Sequence, residues 1–224
     1  MLLFFKDYKK FAIVFLIISL VIITIIYQKL NVYQPLPIYQ PAMVSSELVD
    51  STIQYQKKYH KIADFSLINQ NGKTITQEDY KNKIYVADFF FTTCQTICPI
   101  MTSHMADVQK EIMADDDVML LSHTVTPKID TVEQLKRYAI EKGVHDNKWN
   151  LVTGDKKQIY NLARKSYLAV KTFGNGDEYD MIHTENFMLI DKKRQIRGFY
   201  DGTNTEDIDR LLDDIKILKK EPIK

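Results

Sequence analysis

The stretch Ile84-Tyr85-Val86-Ala87-Asp88-Phe89-Phe90-Phe91 is apolar except for Asp88, and it runs within three residues into Cys94-Gln95-Thr96-Ile97-Cys98-Pro99. A run of that length and β-branched or aromatic content reads as a strand buried on both faces. Directly after it, Ile97, Met101, Met105, Val108 and Ile112 recur at the spacing of one helical face. A buried strand that feeds a helix through a short loop is the building unit of an α/β sheet. The same junction holds both cysteines of the 224-residue chain.

The rest of the chain alternates in the same way. Phe65 to Ile68, a turn at Asn69 to Gly72, and Thr74 to Thr76 precede the buried strand. Val118 to Ser122 is the next strand. Val132, Leu135, Tyr138 and Ala139 mark a second amphipathic helix ended by Gly143, Trp149 to Val152 a short strand, and Asp155 the N-cap of a third helix. Asn186 to Ile190 and Gln195 to Tyr200 form an antiparallel hairpin across Asp191 to Arg194. A final helix, capped at Asn204 or Thr205 with Glu206 and Asp207 in its first turn, buries Ile208, Leu211, Leu212, Ile215 and Leu218. This order predicts a three-layer α/β domain around a central mixed sheet.

Upstream lies a different kind of segment. Phe11 to Tyr27 carries no charge, and as a helix it would cover ~25 Å of a hydrocarbon core near ~30 Å thick. Tyr27-Gln28-Lys29-Leu30 offers no small-residue cleavage site, so an uncleaved anchor is expected rather than a signal peptide. Lys6, Lys9 and Lys10 precede the span and only Lys29 closely follows it, which keeps the N-terminus in the cytoplasm. The expected organisation is a cytoplasmic stretch at 1–10, a transmembrane anchor at 11–30, a juxtamembrane tether at 31–59 and a domain at 60–220. The tether contains Pro35, Pro37 and Pro41 and a short helical stretch around Ser46 to Lys58. In a bacterium this gives a single-pass protein of the inner (cytoplasmic) membrane with its domain in the oxidising periplasm. A net charge of +1 and no long basic run exclude nucleic acid as the partner.

Two thiols separated by three residues can close one disulfide or hold one soft metal ion. At the start of a helix the backbone amides favour the thiolate, and Pro99 fits the first turn without losing a needed donor. Cys94, the upstream thiol, is the more accessible by this placement. Among other soft or titratable groups, Met101 and Met105 fall on the core face of their helix and Met188 in a strand, so packing accounts for them. Met181 is a candidate for transient contact with a soft metal ion. His104 reads as a helix side chain, His60 and His145 as tether and loop residues, and His123 at a strand end as a candidate outer or alternative ligand. Asp115-Asp116-Asp117 reads as a solvated turn.

Ile62-Ala63-Asp64-Phe65-Ser66-Leu67, the Asn71-Gly72-Lys73 turn, Phe89-Phe90-Phe91-Thr92-Thr93-Cys94, the CxxxC-Pro segment and Asp180-Met181-Ile182-His183-Thr184 together resemble the SCO/SenC family over residues 60 to 218. That resemblance implies a membrane-anchored, thioredoxin-like copper chaperone that assists assembly of the dinuclear copper site of cytochrome c oxidase. It implies Cys94, Cys98 and His183 as the ligands of one copper ion. Two thiolates and an imidazole suit Cu(I), and the same set takes Cu(II) with an added oxygen or water.

The implied partners are the oxidase's copper-site subunit or another cuproprotein, a copper donor or thiol reductant, and the membrane. The loop Thr172 to Tyr179 is a candidate recognition surface. Where the family usually has an aspartate and proline, this chain reads Ser122-His123-Thr124-Val125-Thr126-Pro127, which leaves the outer-shell carboxylate unassigned. Asp88 matches the place of the buried aspartate of thioredoxins and is read either as a proton carrier or as a structural acid. The alternative function is therefore a thiol-disulfide oxidoreductase, with Cys94 attacking, Cys98 resolving and Asp88 managing protons. Thiol peroxidase chemistry and a structural zinc site fit less well.

Overall fold

The computed structural model describes residues 4–30, 35–45, 49, 52–170 and 180–221. The chain divides into two compact units, Met1–Pro35 and Leu36–Lys224. In the first, helix α1 spans Phe4–Leu30. Its described apolar side chains from Phe11 to Ile26 are largely exposed. Among the described residues no helix is long and apolar enough to cross a membrane.

The second unit is built on one seven-stranded sheet in the order β2-β1-β5-β4-β3-β6-β7. The strands are β1 (Ser66–Asn69), β2 (Thr74–Thr76), β3 (Ile84–Phe90), β4 (Val118–Thr124), β5 (Trp149–Thr153), β6 (Asn186–Ile190) and β7 (Ile196–Asp201). β3, β4 and β5 run parallel, while β1, β2, β6 and β7 join antiparallel. The sheet is therefore mixed, as the strand order in the sequence predicts.

Helices α2 (Ile97–Ile112), α3 (Val132–Lys142) and α5 (Thr205–Lys220) contribute to the core on one face. Helix α4 (Lys156–Asn161), continued by a π-turn over Leu162–Ser166, contributes to the core on the other. The result is the three-layer, thioredoxin-like arrangement. Capping is local and legible. Thr131 accepts from the Gln134 amide, Asp155 from the Gln158 amide, and Asn204 from the Glu206 and Asp207 amides. Gly143 ends α3 at φ 69°, a left-handed conformation that favours glycine.

Strand alternation decides what faces the helices. Tyr85, Ala87 and Phe89 of β3 enter the core with α4, whereas Ile84, Val86 and Phe90 enter the core with α2 and α5. Asp88 is thereby directed to the α2 side. β4 extends beyond the expected Ser122 because Phe89 and Phe90 pair with His123 and Thr124.

Two further regions differ from the expected picture. Part of the stretch expected as a tether lies on the domain: the Tyr39 amide donates to the Ile196 carbonyl, and the buried Arg197 guanidinium donates to the carbonyls of Leu36 and Pro37. Arg197 also pairs with Asp191 and Glu221, so this charge satisfies its donors by gathering chain from three places. Thr52 to Tyr55 form a turn, and residues 46–48, 50 and 51 of the expected short helix lie outside the described residues. The acidic turn is not merely solvated: Asp115, Asp116 and Asp117 pair with Lys219, Lys148 and Lys192. The hydrogen bond from Lys192 holds Asp117 below the usual carboxylate range.

Candidate metal and thiol site

β3 stops at Phe90, and the chain turns at once, with the Cys94 amide donating to the Phe91 carbonyl at 3.3 Å. A buried carboxylate fixes this turn from below. Asp130, fully buried, accepts from the Thr92 amide (3.3 Å) and hydroxyl (2.5 Å), from the Thr126 hydroxyl (2.9 Å) and from the Thr124 hydroxyl. The loop after β3 and the loop after β4 are thus tied to one acid. Sequence reasoning left the outer carboxylate unassigned; Asp130 is such a carboxylate, and its only local signal is its place just before the α3 cap.

The two thiols are free and unequal. Cys98 lies in the first turn of α2 and is buried, while Cys94 is partly exposed. The Cys98 amide donates to the Cys94 sulfur at 3.4 Å, and the Thr96 hydroxyl lies 3.6 Å from it. Partial burial alone would raise the Cys94 pKa, but hydrogen bonds from the Cys98 thiol and amide and from Thr96 outweigh it and bring Cys94 down to about 7. For Cys98, burial dominates and, with Cys94 and Asp88 nearby, pushes the thiol up to about 12 against a backbone hydrogen bond at Phe91. One sulfur is therefore half-ionised near neutrality while its neighbour holds its proton.

Asp88 lies on the same side of the sheet, buried and paired in register with Ser122. Burial pushes its carboxyl up to about 7, against hydrogen bonds with Ser122 and its own backbone. Its Oδ1 has no hydrogen-bond partner, and Ser122 is in turn held by the Trp149 indole N–H at 2.8 Å. His123 faces the other way. It is fully buried among Phe65, Phe89 and Tyr167, with ring centroids at 6.1, 4.9 and 5.2 Å. Burial lowers its pKa to about 4. This removes it as a ligand candidate: one position of strand alternation separates it from the thiol side.

His183 stands on the segment before β6, exposed, with its ring 6.1 Å from that of Phe91 in an edge-on arrangement. Its neighbours anchor the segment. Ile182 and Thr184 are buried, and Asp180 pairs with the buried Arg164 at 2.7 Å while its carbonyl accepts from Lys156 and Tyr160. That ion pair escaped sequence reasoning because its halves sit on different elements. The structure brings His183 to the residue three before Cys94, yet among the described residues no three His, Cys, Asp or Glu side chains are clustered tightly enough to hold a metal ion. The donor types still fit a soft ion: one thiolate available near neutrality, a second thiol beside it, and an exposed imidazole at the same end of the sheet.

The remaining candidates are placed elsewhere. Met101, Met105 and Met188 are core residues, and Met181 is exposed. The His104 ring contacts the Gly202 carbonyl at 2.8 Å, and His145 is exposed. His60, expected on a tether, is buried with its ring against the Ser166 carbonyl at 2.8 Å. The candidate recognition loop Thr172 to Tyr179 lies outside the described residues.

The SCO1/SenC family model matches residues 53–220. A Bacillus subtilis relative named SCO1 protein homolog is 33% identical over 159 residues, covering 70% of this chain and 82% of the relative. Among solved structures, a SCO1/SenC family lipoprotein from Bacillus anthracis superposes with a TM-score of 0.63 at 32% identity, covering 74% of this chain and 99% of that one. BsSco, described as having a disulfide switch and as a member of the Sco family of cytochrome c oxidase assembly proteins, gives 0.60 at 32% identity over 72% and 95% of the two chains. Arabidopsis thaliana ScoI, solved with copper bound, gives 0.53 at 25% identity over 69% and 97%.

Proposed function

The chain belongs to the SCO1/SenC family, and from that premise we propose that it is a membrane-anchored chaperone that binds copper and delivers it during assembly of the dinuclear copper site of cytochrome c oxidase. The observation that carries this reading is the unequal thiol pair at the end of β3, with the His183 ring against Phe91. Cys94, Cys98 and His183 are the ligands. Copper is cargo here. Cys94 meets it first because its sulfur is partly exposed and readily ionised; Cys98 must release its proton on binding, and Asp88 is an acid whose charge is felt at Cys98. A relative solved with copper and another described as an oxidase assembly protein support the reading.

Anchoring rests on α1. Within it the uncharged run from Phe11 to Tyr27 would cover about 25 Å of a hydrocarbon core of about 30 Å, so it is that run's lack of charge and its flanking lysines, and not the length of the helix, that support the anchor. With Lys6, Lys9 and Lys10 on the cytoplasmic side, the domain faces the periplasm of a single-pass inner-membrane protein. A relative named as a lipoprotein supports membrane attachment. Holding Cu(I) in an oxidising compartment requires the cysteine pair to be reduced, so a thiol reductant and a copper donor are partners alongside the oxidase subunit.

The test is anaerobic Cu(I) titration of the reduced full chain in detergent against a strong chelator, wild type beside His183→Ala. Affinity is expected to fall by more than the about tenfold typical of losing an outer-shell partner. Equal and weak binding by both proteins would sink the three-ligand site.

A second reading is favoured by the pKa split itself: a thiol-disulfide oxidoreductase acting on the cysteines of a cuproprotein, in which Cys94 attacks, Cys98 resolves and Asp88 takes the proton. Iodoacetamide should alkylate Cys94 with a midpoint near pH 7 and spare Cys98. Two cysteines titrating together above pH 8 would remove the basis for this reading.

A further inference from the structure

Beside Cys94, between the start of α2 and helix α3, lies a cleft of about 530 Å³. That volume is within the range of small-molecule sites. Cys94 stands on one wall, and Gln134, Arg137, Tyr138, Glu141 and Lys142 of α3 form the other. The floor is tied to the thiol loop, because the Gln134 side-chain Nε2 donates to the Thr92 hydroxyl at 3.0 Å, and that hydroxyl donates to Asp130.

The charges in this cleft do not cancel. Lys142 pairs with Glu141 at 2.7 Å and lies over the Tyr138 ring at 5.4 Å. Arg137 is exposed and donates to the Gln134 side-chain oxygen rather than to a carboxylate. The wall opposite the thiol therefore offers an exposed guanidinium whose charge is felt by Glu133 one turn earlier on α3 but which, among the described residues, hydrogen-bonds no carboxylate, and its fork matches one.

We infer that the cleft seats a low-molecular-weight thiol bearing carboxylates, which is the direct redox partner of the Cys94–Cys98 pair, with a carboxylate held by Arg137. The inference rests on the reading of Cys94 as the exchanging thiol and names the class of reductant that reading requires. The reaction balances. When the pair is oxidised, the small thiolate attacks the Cys94 sulfur, the Cys94–Cys98 bond breaks, and Cys98 leaves and takes up a proton. A second small thiolate then attacks the small-molecule sulfur of the mixed disulfide and frees Cys94. Two small thiols become one small disulfide, and two electrons and two protons pass to the protein. The same cleft serves the reverse reaction.

The test uses the full chain in detergent, reduced, in a Cys98→Ser background so that reaction stops at the mixed disulfide. Mass spectrometry gives the second-order rates with oxidised glutathione, which carries carboxylates, and with cystamine, which is cationic. The readout is the ratio of the two rates, in which any change in the intrinsic reactivity of Cys94 divides out. Arg137→Gln is expected to lower the glutathione-to-cystamine ratio about threefold, the effect of one exposed ion pair, and Arg137→Glu to lower it further. Raising the salt concentration should shrink the wild-type ratio. A ratio unmoved by either substitution overturns the inference while leaving the copper site standing. No reaction with either disulfide overturns both the inference and the thiol reading beneath it. Loss of copper affinity in His183→Ala concerns only the metal reading and leaves this ratio alone.

Discussion

The loop that carries Cys94 and Cys98 and the segment that carries His183 meet at Phe91, but they are held in different ways. The thiol loop is fixed at its own positions: the Thr92 amide and hydroxyl both donate to Asp130, which also accepts from Thr124 at the end of β4 and Thr126 just beyond it, and the Cys98 amide is directed at the Cys94 sulfur. His183 is held through its neighbours, by the Asp180–Arg164 pair and by buried Ile182 and Thr184, while its own ring stays exposed against Phe91. The thiols are thus set in place by the fold. The imidazole is carried to the right end of the sheet and left accessible. Under the proposed function that division would suit uptake and release of copper, because an exposed His183 could be exchanged without disturbing the loop beneath it.

The sharpest way to break the comparison is at Asp180. Removing Asp180 takes a charged partner at 2.7 Å from the buried Arg164, so Asp180→Ala should cost about 3 kcal/mol in urea unfolding, while Arg164→Met combined with Asp180→Leu should recover most of it. If the single variant unfolds like wild type, the segment is not anchored by this pair.

Asp88 beneath the thiols gives the next effect, and its sign depends on pH. Its folded pKa of about 7 lies above the unfolded value, so the folded state binds the proton more tightly. Its contribution is favourable below the unfolded pKa near 4 and is lost as pH rises through 7. Asp88→Asn should therefore be more stable than the copper-free reduced wild type by about 4 kcal/mol at pH 8, with the gap closing towards pH 4. A difference that is constant across pH would contradict a raised pKa.

Asp130→Ala should cost about 2 kcal/mol by leaving several hydroxyls and an amide without their acceptor. Unlike the Asp180 change, it should also alter the alkylation rate of Cys94, and a variant that loses stability with no change at the thiol would show that the loop keeps its shape unaided. The smallest effect is expected at exposed Met181, where Ala should shift stability by no more than about 0.5 kcal/mol. A larger loss would mean that the His183 segment packs more tightly than its exposure indicates.

Much of the fold was legible because its signals are local. The buried run into Cys94, the helical spacing from Ile97 to Ile112, the caps at Asp155 and Asn204 and the terminator Gly143 each stand within a few residues of what they specify. The thiol pair was legible for the same reason, since its position at the start of a helix is a statement about adjacent residues. His183 entered through a family resemblance and not through any local signal, and His123 was misplaced because a strand two residues longer than expected turned its side chain to the opposite face.

What the amino-acid sequence determined by itself was the order of strands and helices and the chemistry available at one loop, because periodicity and capping act over a few residues. Tertiary structure alone decided which acid supports that loop, which ion pair carries His183, and that Leu36 and Pro37 bind Arg197 rather than hang free. Those choices join residues distant in the chain through buried polar groups that must find partners, and no local pattern encodes which partner closes each bond.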